Sequence, residues 1–557
     1  MMPEVDEALL PGRQGVPCGQ ARCCCPPGDF SVLLLLGQGT LCRQVEVKIT
    51  VRALRQPLGQ PPSSDGEGCL REYLTLPALR GLPQGQGLAR LPTPGLMIRL
   101  DLTQQAHIAT ELAELYLARI ARANAKLNAF VAVDAELALA HARAADARRA
   151  GGVALGPLDG LPIALKDLLE IEGRVTGVGS AAWKDRRSTK TATVVERLLA
   201  AGMVPLGKTQ MVEFAFGTWG TNPLLGMPWN PWDLATHRVP GGSSSGSGVA
   251  VAAGLAPAAI GSDTGGSVRI PAAMNGITGL KTTGGLVSLC GAFPLSFSLD
   301  TIGPMTRSAD DAALLLAAIA GADARDPATL CAPRFDDALA RSDAASLAGL
   351  RIAVLPEAQY PIEVHASVRS AVGEARRALG ELGASVVERR LPLDFGELMR
   401  RNGQLIAAEA YSIHRGYIED ESLPLGPAVR KRVLGGKQVS AADYIAALEH
   451  RRAARAAWVE WMRETDALLV PAVPFPACPA SEVDETVTPL ASFTRAGNYL
   501  DACGLALPAG FSGEGLPVGV QLLGKPFDEA TLLRIGRAFQ RATDWHRRRP
   551  GLGAIGL

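Results

Sequence analysis

Two glycine-rich turns that carry serine, separated by a segment of small residues, constrain this chain of 557 residues more than any other feature. The first turn, residues 241–248, reads GGSSSGSG, and the second, residues 261–271, reads GSDTGGSVRIP. Glycine accepts backbone angles that are closed to other residues and lets a ligand approach the main chain closely. Such turns can present a hydroxyl group beside several free N–H groups. The pattern therefore indicates a serine-based hydrolytic site.

A third segment, upstream of both turns, carries a lone lysine. Residues 160–168 read GLPIALKDL, an apolar run typical of a strand, and it ends in Lys166 and Asp167. Burial would lower the pKa of this lysine and allow it to act as a base. Taken singly, a lysine after a strand is usually solvated and a Ser/Gly run is usually a linker. The presence of all three segments in one chain favours the catalytic interpretation.

Together these segments resemble the amidase signature family, whose site is a serine, a second serine on a cis peptide bond, and a lysine. The resemblance runs from Met97 to the C-terminus and includes residues 299–305, 466–471 and 515–524. Apolar strand-like runs at residues 162–165, 204–206, 352–355 and 467–470 alternate with alanine-rich helices, which indicates an α/β fold. The resemblance implies that this fold is a large mixed β-sheet covered by helices on both faces. Two departures, Ser245 where many members carry glycine and Ser262 where threonine is usual, affect fine geometry rather than chemistry.

The resemblance also implies a role for each site residue. Ser267 is the expected nucleophile, and Lys166 is the base that accepts its proton through the hydroxyl of Ser243. We expect the cis peptide bond between Gly242 and Ser243. Backbone N–H groups around the nucleophile are expected to bind the oxyanion; they belong to Thr264, Gly265, Gly266 and Ser267. Neither a metal ion nor a cofactor is expected.

The sequence gives fewer constraints on the substrate pocket. Trp219 and Phe293 are candidates to favour an apolar acyl group, and Arg451 or Arg452 to pair with a substrate carboxylate. The ordinary alternatives are core packing for the aromatic residues and a solvated helix face for the arginines.

A rival interpretation uses the same glycine-rich turn. Residues 242–246 fit the Gly-x-Ser-x-Gly pattern of α/β-hydrolases, with Ser244 as nucleophile. That mechanism requires an acid and then a histidine downstream. Four histidines are available, none of them in a distinctive loop: His365, His414, His450 and His546.

Two functions are compatible with the expected site. One is a free-standing amidase that hydrolyses a small-molecule amide to a carboxylic acid and ammonia or an amine, through an acyl-serine. The other is the glutaminase (A) subunit of a tRNA-dependent amidotransferase. Such subunits usually carry an acid close before the threonine that matches Thr494, to hold the glutamine amino group, and residues 490–493, LASF, offer none. The free-standing amidase is therefore the prediction, and the glutaminase subunit is the alternative.

The net charge and the hydropathy of the chain indicate which partners to expect. The formal net charge is +1, and no basic patch with interleaved aromatic residues occurs. We expect a small-molecule amide substrate, no nucleic acid, no membrane, and a second copy of the chain as the one protein partner to consider. The apolar run at residues 32–36 is too short to span a bilayer and lacks a basic leader, which predicts a cytoplasmic protein.

The first 96 residues differ from the remainder of the chain. They are rich in proline and glycine, contain the run Cys23 to Cys25 and a single lysine, and show no sustained helical or strand periodicity. We predict that residues 1–96 are disordered or an upstream extension of the reading frame. Residues 97–557 are predicted to form one amidase signature domain.

Overall fold

The computed structural model describes residues 108–342 and 345–557, so the prediction for residues 1–96 lies outside the described part of the chain. Eleven strands form one sheet within these residues. The strands are β1 Phe130–Val133, β2 Pro162–Lys166, β3 Val204–Thr209, β4 Ala258–Asp263, β5 Thr278–Lys281, β6 Thr301–Thr306, β7 Arg351–Val354, β8 Ser385–Glu388, β9 Ala467–Pro471, β10 Gly504–Phe511 and β11 Pro517–Leu523.

Thirteen α-helices accompany this sheet in the described residues. They are α1 Ile108–Leu127, α2 Ala135–Ala150, α3 Thr193–Ala200, α4 Ser245–Ala252, α5 Arg269–Asn275, α6 Ala309–Ile319, α7 Asp337–Ala340, α8 Ala366–Glu381, α9 Phe395–His414, α10 Pro427–Gly435, α11 Ala441–Trp461, α12 Arg495–Tyr499 and α13 Glu529–Ala542.

The sheet is mixed, which confirms the predicted fold class. Its strand order is β1-β3-β2-β4-β6-β5-β10-β11-β9-β7-β8. Two groups of strands are parallel, β3-β2-β4 and β9-β7-β8, and the remaining neighbours are antiparallel. Strands of the parallel groups β2, β3, β7 and β9 contain the apolar runs from which the α/β class was predicted.

Strands β2, β3 and β4 are buried at every position, as expected for parallel strands covered on both faces. Helix α4 is also buried along its whole length, because its residues are small. A Cβ atom on Gly246 would lie 2.3 Å from the carbonyl oxygen of Ala129 and 2.5 Å from the backbone nitrogen of Gln210. Glycine at this position therefore permits the close approach of α4 to the neighbouring main chain.

The parallel pairing of β2 with β4 determines where the expected catalytic residues lie. Ala164 pairs with Ala259 and Leu165 with Ile260, so both strands end at the same edge of the sheet. Lys166 is the last residue of β2, and β4 leads into the second glycine-rich turn. The lysine and the expected nucleophile are thus delivered to one edge by neighbouring strands.

Candidate active site

A buried lysine joins the two serine-bearing turns. Its Nζ donates hydrogen bonds to Ser243 Oγ at 2.8 Å and to Ser262 Oγ at 2.9 Å. The Gly242–Ser243 peptide bond is cis, as predicted. The backbone N–H of Ser244 donates to the carbonyl oxygen of Ser267 at 3.2 Å, so the two turns are directly linked. The structure therefore brings Lys166, Ser243 and Ser267 into one site.

The environment of Lys166 favours its neutral form. Burial lowers the pKa of this lysine to about 7, and the carboxylates of Asp263 and Asp300 oppose part of that shift. At neutral pH a large fraction of the side chain is therefore unprotonated, as a proton acceptor must be.

An ion pair holds the turn that carries Ser267. The carboxylate of Asp263 accepts hydrogen bonds from Arg269 Nε at 3.0 Å and Nη2 at 2.9 Å, and from Asn498 Nδ2 at 2.9 Å. It also accepts from the backbone N–H of Gly266 at 2.7 Å. Burial alone would raise the pKa of this carboxyl group, but Arg269 holds it well below its usual range. Asp263 is therefore ionised and fixes the shape of the turn.

This contact limits the choice of oxyanion donors. The N–H of Gly266 is already bound to Asp263, whereas those of Gly265 and Ser267 have no hydrogen-bond partner within residues 108–342 and 345–557. The side chain of Thr264 is held aside, since its hydroxyl donates to Asp300 Oδ1 at 2.6 Å. Of the four expected donors, Thr264, Gly265 and Ser267 have backbone N–H groups without a hydrogen-bond partner in the described residues, as an oxyanion requires.

Ser244, the nucleophile of the rival interpretation, has a structural environment. Its fully buried Oγ donates to the carbonyl oxygen of Ser262 at 3.2 Å and accepts from the N–H of the same residue at 3.3 Å. The four histidines have other environments. His365 caps α8, and His414 and His450 contact tyrosine hydroxyls. Burial lowers the pKa of His546 to about 4. None is hydrogen-bonded to Ser244 in the described residues.

The three substrate-binding candidates lie in packed surroundings. The indole N–H of Trp219 is 3.1 Å from the carbonyl oxygens of Asp484 and Val487. The ring of Phe293 packs edge-on against Trp183, with ring centroids 4.8 Å apart, in an aromatic cluster. Arg451 is buried and donates to the carbonyl oxygens of Tyr499 and Asn498 at 3.0 and 3.5 Å. The guanidinium of Arg451 thus holds helix α12 in place.

Sequence reasoning assigned no role to three polar residues of this site. Asn498, from α12, binds the carboxylate of Asp263. Asn402, from α9, and Arg495, from α12, lie against Gly265. Arg495 and Asn498 lie in residues 493–501, a segment that the sequence offers as pocket lining or core, but all three residues are remote in sequence from both glycine-rich turns and only the fold brings them to the site.

A mixed α/β sheet that places a buried lysine against a serine, beside a second serine, is the architecture of a hydrolase. The chain belongs to the Amidase family, whose model matches residues 111–533. It is 44% identical over 483 residues to the A subunit of the glutamyl-tRNA(Gln) amidotransferase from Ralstonia nicotianae, and the match covers 79% of this chain and 96% of that protein.

Solved structures support the assignment to the Amidase family. The A subunit of the glutamyl-tRNA(Gln) amidotransferase from Thermotoga maritima matches with a TM-score of 0.66 and 32% identity, over 80% of this chain and 97% of that one. The peptide amidase from Stenotrophomonas maltophilia matches with a TM-score of 0.69 and 32% identity, over 82% and 99% of the two chains.

The comparisons correct the predicted function. The free-standing amidase of small molecules was preferred because residues 490–493 contain no acid, but the identity to amidotransferase A subunits extends over nearly their whole length. One missing carboxylate was a poor criterion, because a substrate amino group also binds neutral oxygen acceptors. Asn402 presents such an oxygen beside Gly265.

The expected partners are corrected as well. We expected a small-molecule substrate, no nucleic acid and at most a second copy of the chain. The relatives are instead named as subunits of a glutamyl-tRNA(Gln) amidotransferase. The net charge of the chain was a poor guide to its partners, because it does not report how charge is distributed over the surface. Among helices of residues 108–342 and 345–557, none has the length and apolar character to cross a membrane.

Proposed function

We propose that this chain is the glutamine-hydrolysing A subunit of a glutamyl-tRNA(Gln) amidotransferase. In this function it releases ammonia from the side-chain amide of glutamine, and the assembled enzyme uses the ammonia to amidate glutamyl-tRNA(Gln). The observation that carries the proposal is the 44% identity over 96% of the length of a protein with this name. The buried Lys166–Ser243 hydrogen bond supports it, because the hydrolysis needs a base and a serine relay.

The proposed chemistry assigns each group one task. Neutral Lys166 accepts a proton from Ser243 while Ser243 accepts the proton of Ser267, and Ser267 Oγ attacks the amide carbon. The resulting oxyanion is bound by backbone N–H groups of this turn, which are those of Thr264, Gly265 and Ser267. The proton returns through Ser243 to the leaving nitrogen as the C–N bond breaks, which releases ammonia and leaves an acyl-Ser267. Water then cleaves the ester by the same relay, giving glutamate and free enzyme.

The test compares two sources of nitrogen in the assembled enzyme. Full-length chain is purified alone and with the other amidotransferase subunits, and formation of glutamate and of Gln-tRNA(Gln) is measured. We expect Ser267→Ala to abolish glutamine hydrolysis and glutamine-dependent amidation, because the acyl-enzyme cannot form, while ammonium chloride still supports amidation. Ser244→Ala is the matched control and retains most of the activity, since its hydroxyl binds the backbone of Ser262.

Two results would contradict this proposal. One is the absence of glutamine hydrolysis in both the free chain and the assembly. The other is glutamine-dependent amidation by the Ser267→Ala variant at the wild-type rate.

A further inference from the structure

Two polar side chains without partners lie beside the turn that carries the expected nucleophile. Asn402 of α9 is fully buried, and neither its amide nitrogen nor its amide oxygen has a hydrogen-bond partner. Arg495, the first residue of α12, is half-buried. In the described part of the chain its guanidinium forms no hydrogen bond and has no acidic side chain within 4 Å. Buried polar groups nearly always have a hydrogen-bond partner, so two neighbouring polar side chains without one indicate a place for a ligand.

Both side chains contact the same glycine. A Cβ atom on Gly265 would lie 3.3 Å from Asn402 Oδ1, 3.1 Å from Arg495 Cγ and 3.5 Å from Arg495 Nε. On the other side, a Cβ atom on Gly403 would lie 2.9 Å from Arg495 Nη1. The arginine therefore extends from Gly265 to α9. Because Gly265 is two residues before Ser267, a ligand group held here is near the reacting carbon.

The charge at this position is positive and uncompensated. Burial lowers the pKa of Arg495 to about 10, with a further contribution from Arg432, so the side chain stays charged at neutral pH. Other arginines nearby are neutralised or bound: Arg432 pairs with Glu485, Arg269 with Asp263, and Arg451 donates to backbone carbonyls. A partly desolvated guanidinium without a counter-ion matches a carboxylate in charge and geometry.

We propose that Arg495 and Asn402 form the subsite that binds a carboxylate of the substrate. The substrate class is then primary amides whose carbon chain ends in a carboxylate, a class that includes glutamine, and to that extent the inference rests on the proposed function. Arg495 donates to the carboxylate oxygens and Asn402 Nδ2 adds a neutral donor. Because the side chain of Arg495 brings an uncompensated positive charge beside Gly265, the carboxylate is the group that the site selects.

The test uses three amides of similar size: glutamine, glutaramate, which lacks the amino group, and glutaramide, in which a neutral amide replaces the carboxylate. For the Arg495→Met variant of the full chain we expect kcat/KM for glutamine and glutaramate to fall by about 10- to 100-fold, mainly through KM, because a charged hydrogen bond is lost. For glutaramide the change should stay within about threefold, since no such bond forms. Methionine keeps the apolar stem that packs on Gly265.

A second variant and a control keep the test decisive. Asn402→Asp places a negative charge against the carboxylate, and it should lower kcat/KM for glutaramate without a comparable loss for glutaramide. Arg455→Met, which removes an exposed arginine paired with Asp501, should leave all three substrates unchanged. An equal loss for the anionic and neutral amides in both variants would overturn the subsite, because it would show a structural role.

Failure of the subsite and failure of the proposed function give different results. If Arg495→Met supports glutamine-dependent amidation with the wild-type KM for glutamine, the subsite is wrong and the function stands. If the wild type hydrolyses glutaramate in an Arg495-dependent manner but supports no glutamine-dependent amidation in the assembly, the subsite stands and the function is wrong.

Discussion

Lys166 is the proposed base of the reaction, and its position at a strand end was predictable. An apolar run that ends in one lysine predicted a strand end, and the two glycine-rich turns gave the lysine its partners. Ser262, in contrast, was noted as a departure from the family pattern, and its hydrogen bond with Lys166 was not foreseen. Register between β2 and β4 creates that contact, and register is not visible in either segment alone.

The first residue-scale prediction concerns pH. Because burial lowers the pKa of Lys166 to about 7, the base is mostly protonated below that pH and mostly neutral above it. We expect the acylation rate to rise with pH through about 7 and then level off. Lys166→Ala should lose about 10²- to 10⁴-fold in rate because the proton acceptor is absent. Lys166→Arg should fail too, because the guanidinium remains charged. Single-turnover acylation from acidic to alkaline pH measures this.

The control for the pH prediction is His450→Gln, which removes a ring that contacts the hydroxyl of Tyr499. Its rate and pH profile should match the wild type. Retained activity in Lys166→Ala, together with loss of activity in one histidine variant, would favour the α/β-hydrolase mechanism.

At the scale of elements, the site depends on how α12 contacts the turn between β4 and α5. Asp263 and Arg269 flank the expected nucleophile in the second glycine-rich turn, and their ion pair stabilises it. The contribution of Asn498 was not visible in the sequence, because α12 is a five-residue helix far along the chain. The fold places the Asn498 amide against Asp263. Sequence therefore predicted the turn but not the helix that braces it.

The element-scale prediction tests this brace. Asp263→Asn removes the negative charge and leaves the guanidinium of Arg269 buried and unpaired. The guanidinium keeps its hydrogen bonds to Gln521 and Asn498 but loses its counter-ion, so we expect the free energy of unfolding to fall by about 3 to 5 kcal/mol. Since the pKa of Asp263 is depressed in the folded state, its stabilisation is complete at neutral pH and lost as pH falls through that depressed value. Chemical denaturation at neutral and acidic pH should show the difference between variant and wild type shrinking in acid.

Asp420→Asn is the matched control, because Asp420 is exposed and binds within its own loop to Ser422. Its free energy of unfolding should match that of the wild type within the error of the measurement. A similarly small effect of Asp263→Asn would refute the brace.

For the whole molecule, the fold class followed from alternating strand and helix patterns, whereas the strand order did not. Local periodicity identifies a strand, but pairs such as β5 with β10 join segments that are far apart in the sequence. The predicted function was wrong at this scale for a related reason. The prediction relied on the net charge and on residues 490–493, whereas the identity to an amidotransferase A subunit extends along 96% of that protein.

The prediction for the whole molecule concerns its extent. If residues 97–557 form the complete domain, a chain that starts at Met97 should match the full chain in Tm and in glutamine turnover, because every site residue named above lies after Met97. Thermal unfolding and ammonia release measure the two quantities. A clear loss in either would show that residues 1–96 have a structural role.

The site draws its parts from two separate sets of elements. Lys166, Ser243 and Ser267 come from β2 and the two glycine-rich turns, whereas Asn402 and Arg495 come from α9 and α12. In the proposed mechanism, bond cleavage and substrate choice therefore rest on different residues, so a substitution at Arg495 changes which amide is held while Asn498 of the same helix still braces the turn. An ancestral enzyme of this design could acquire a new substrate through a few helical substitutions while its reaction stayed the same.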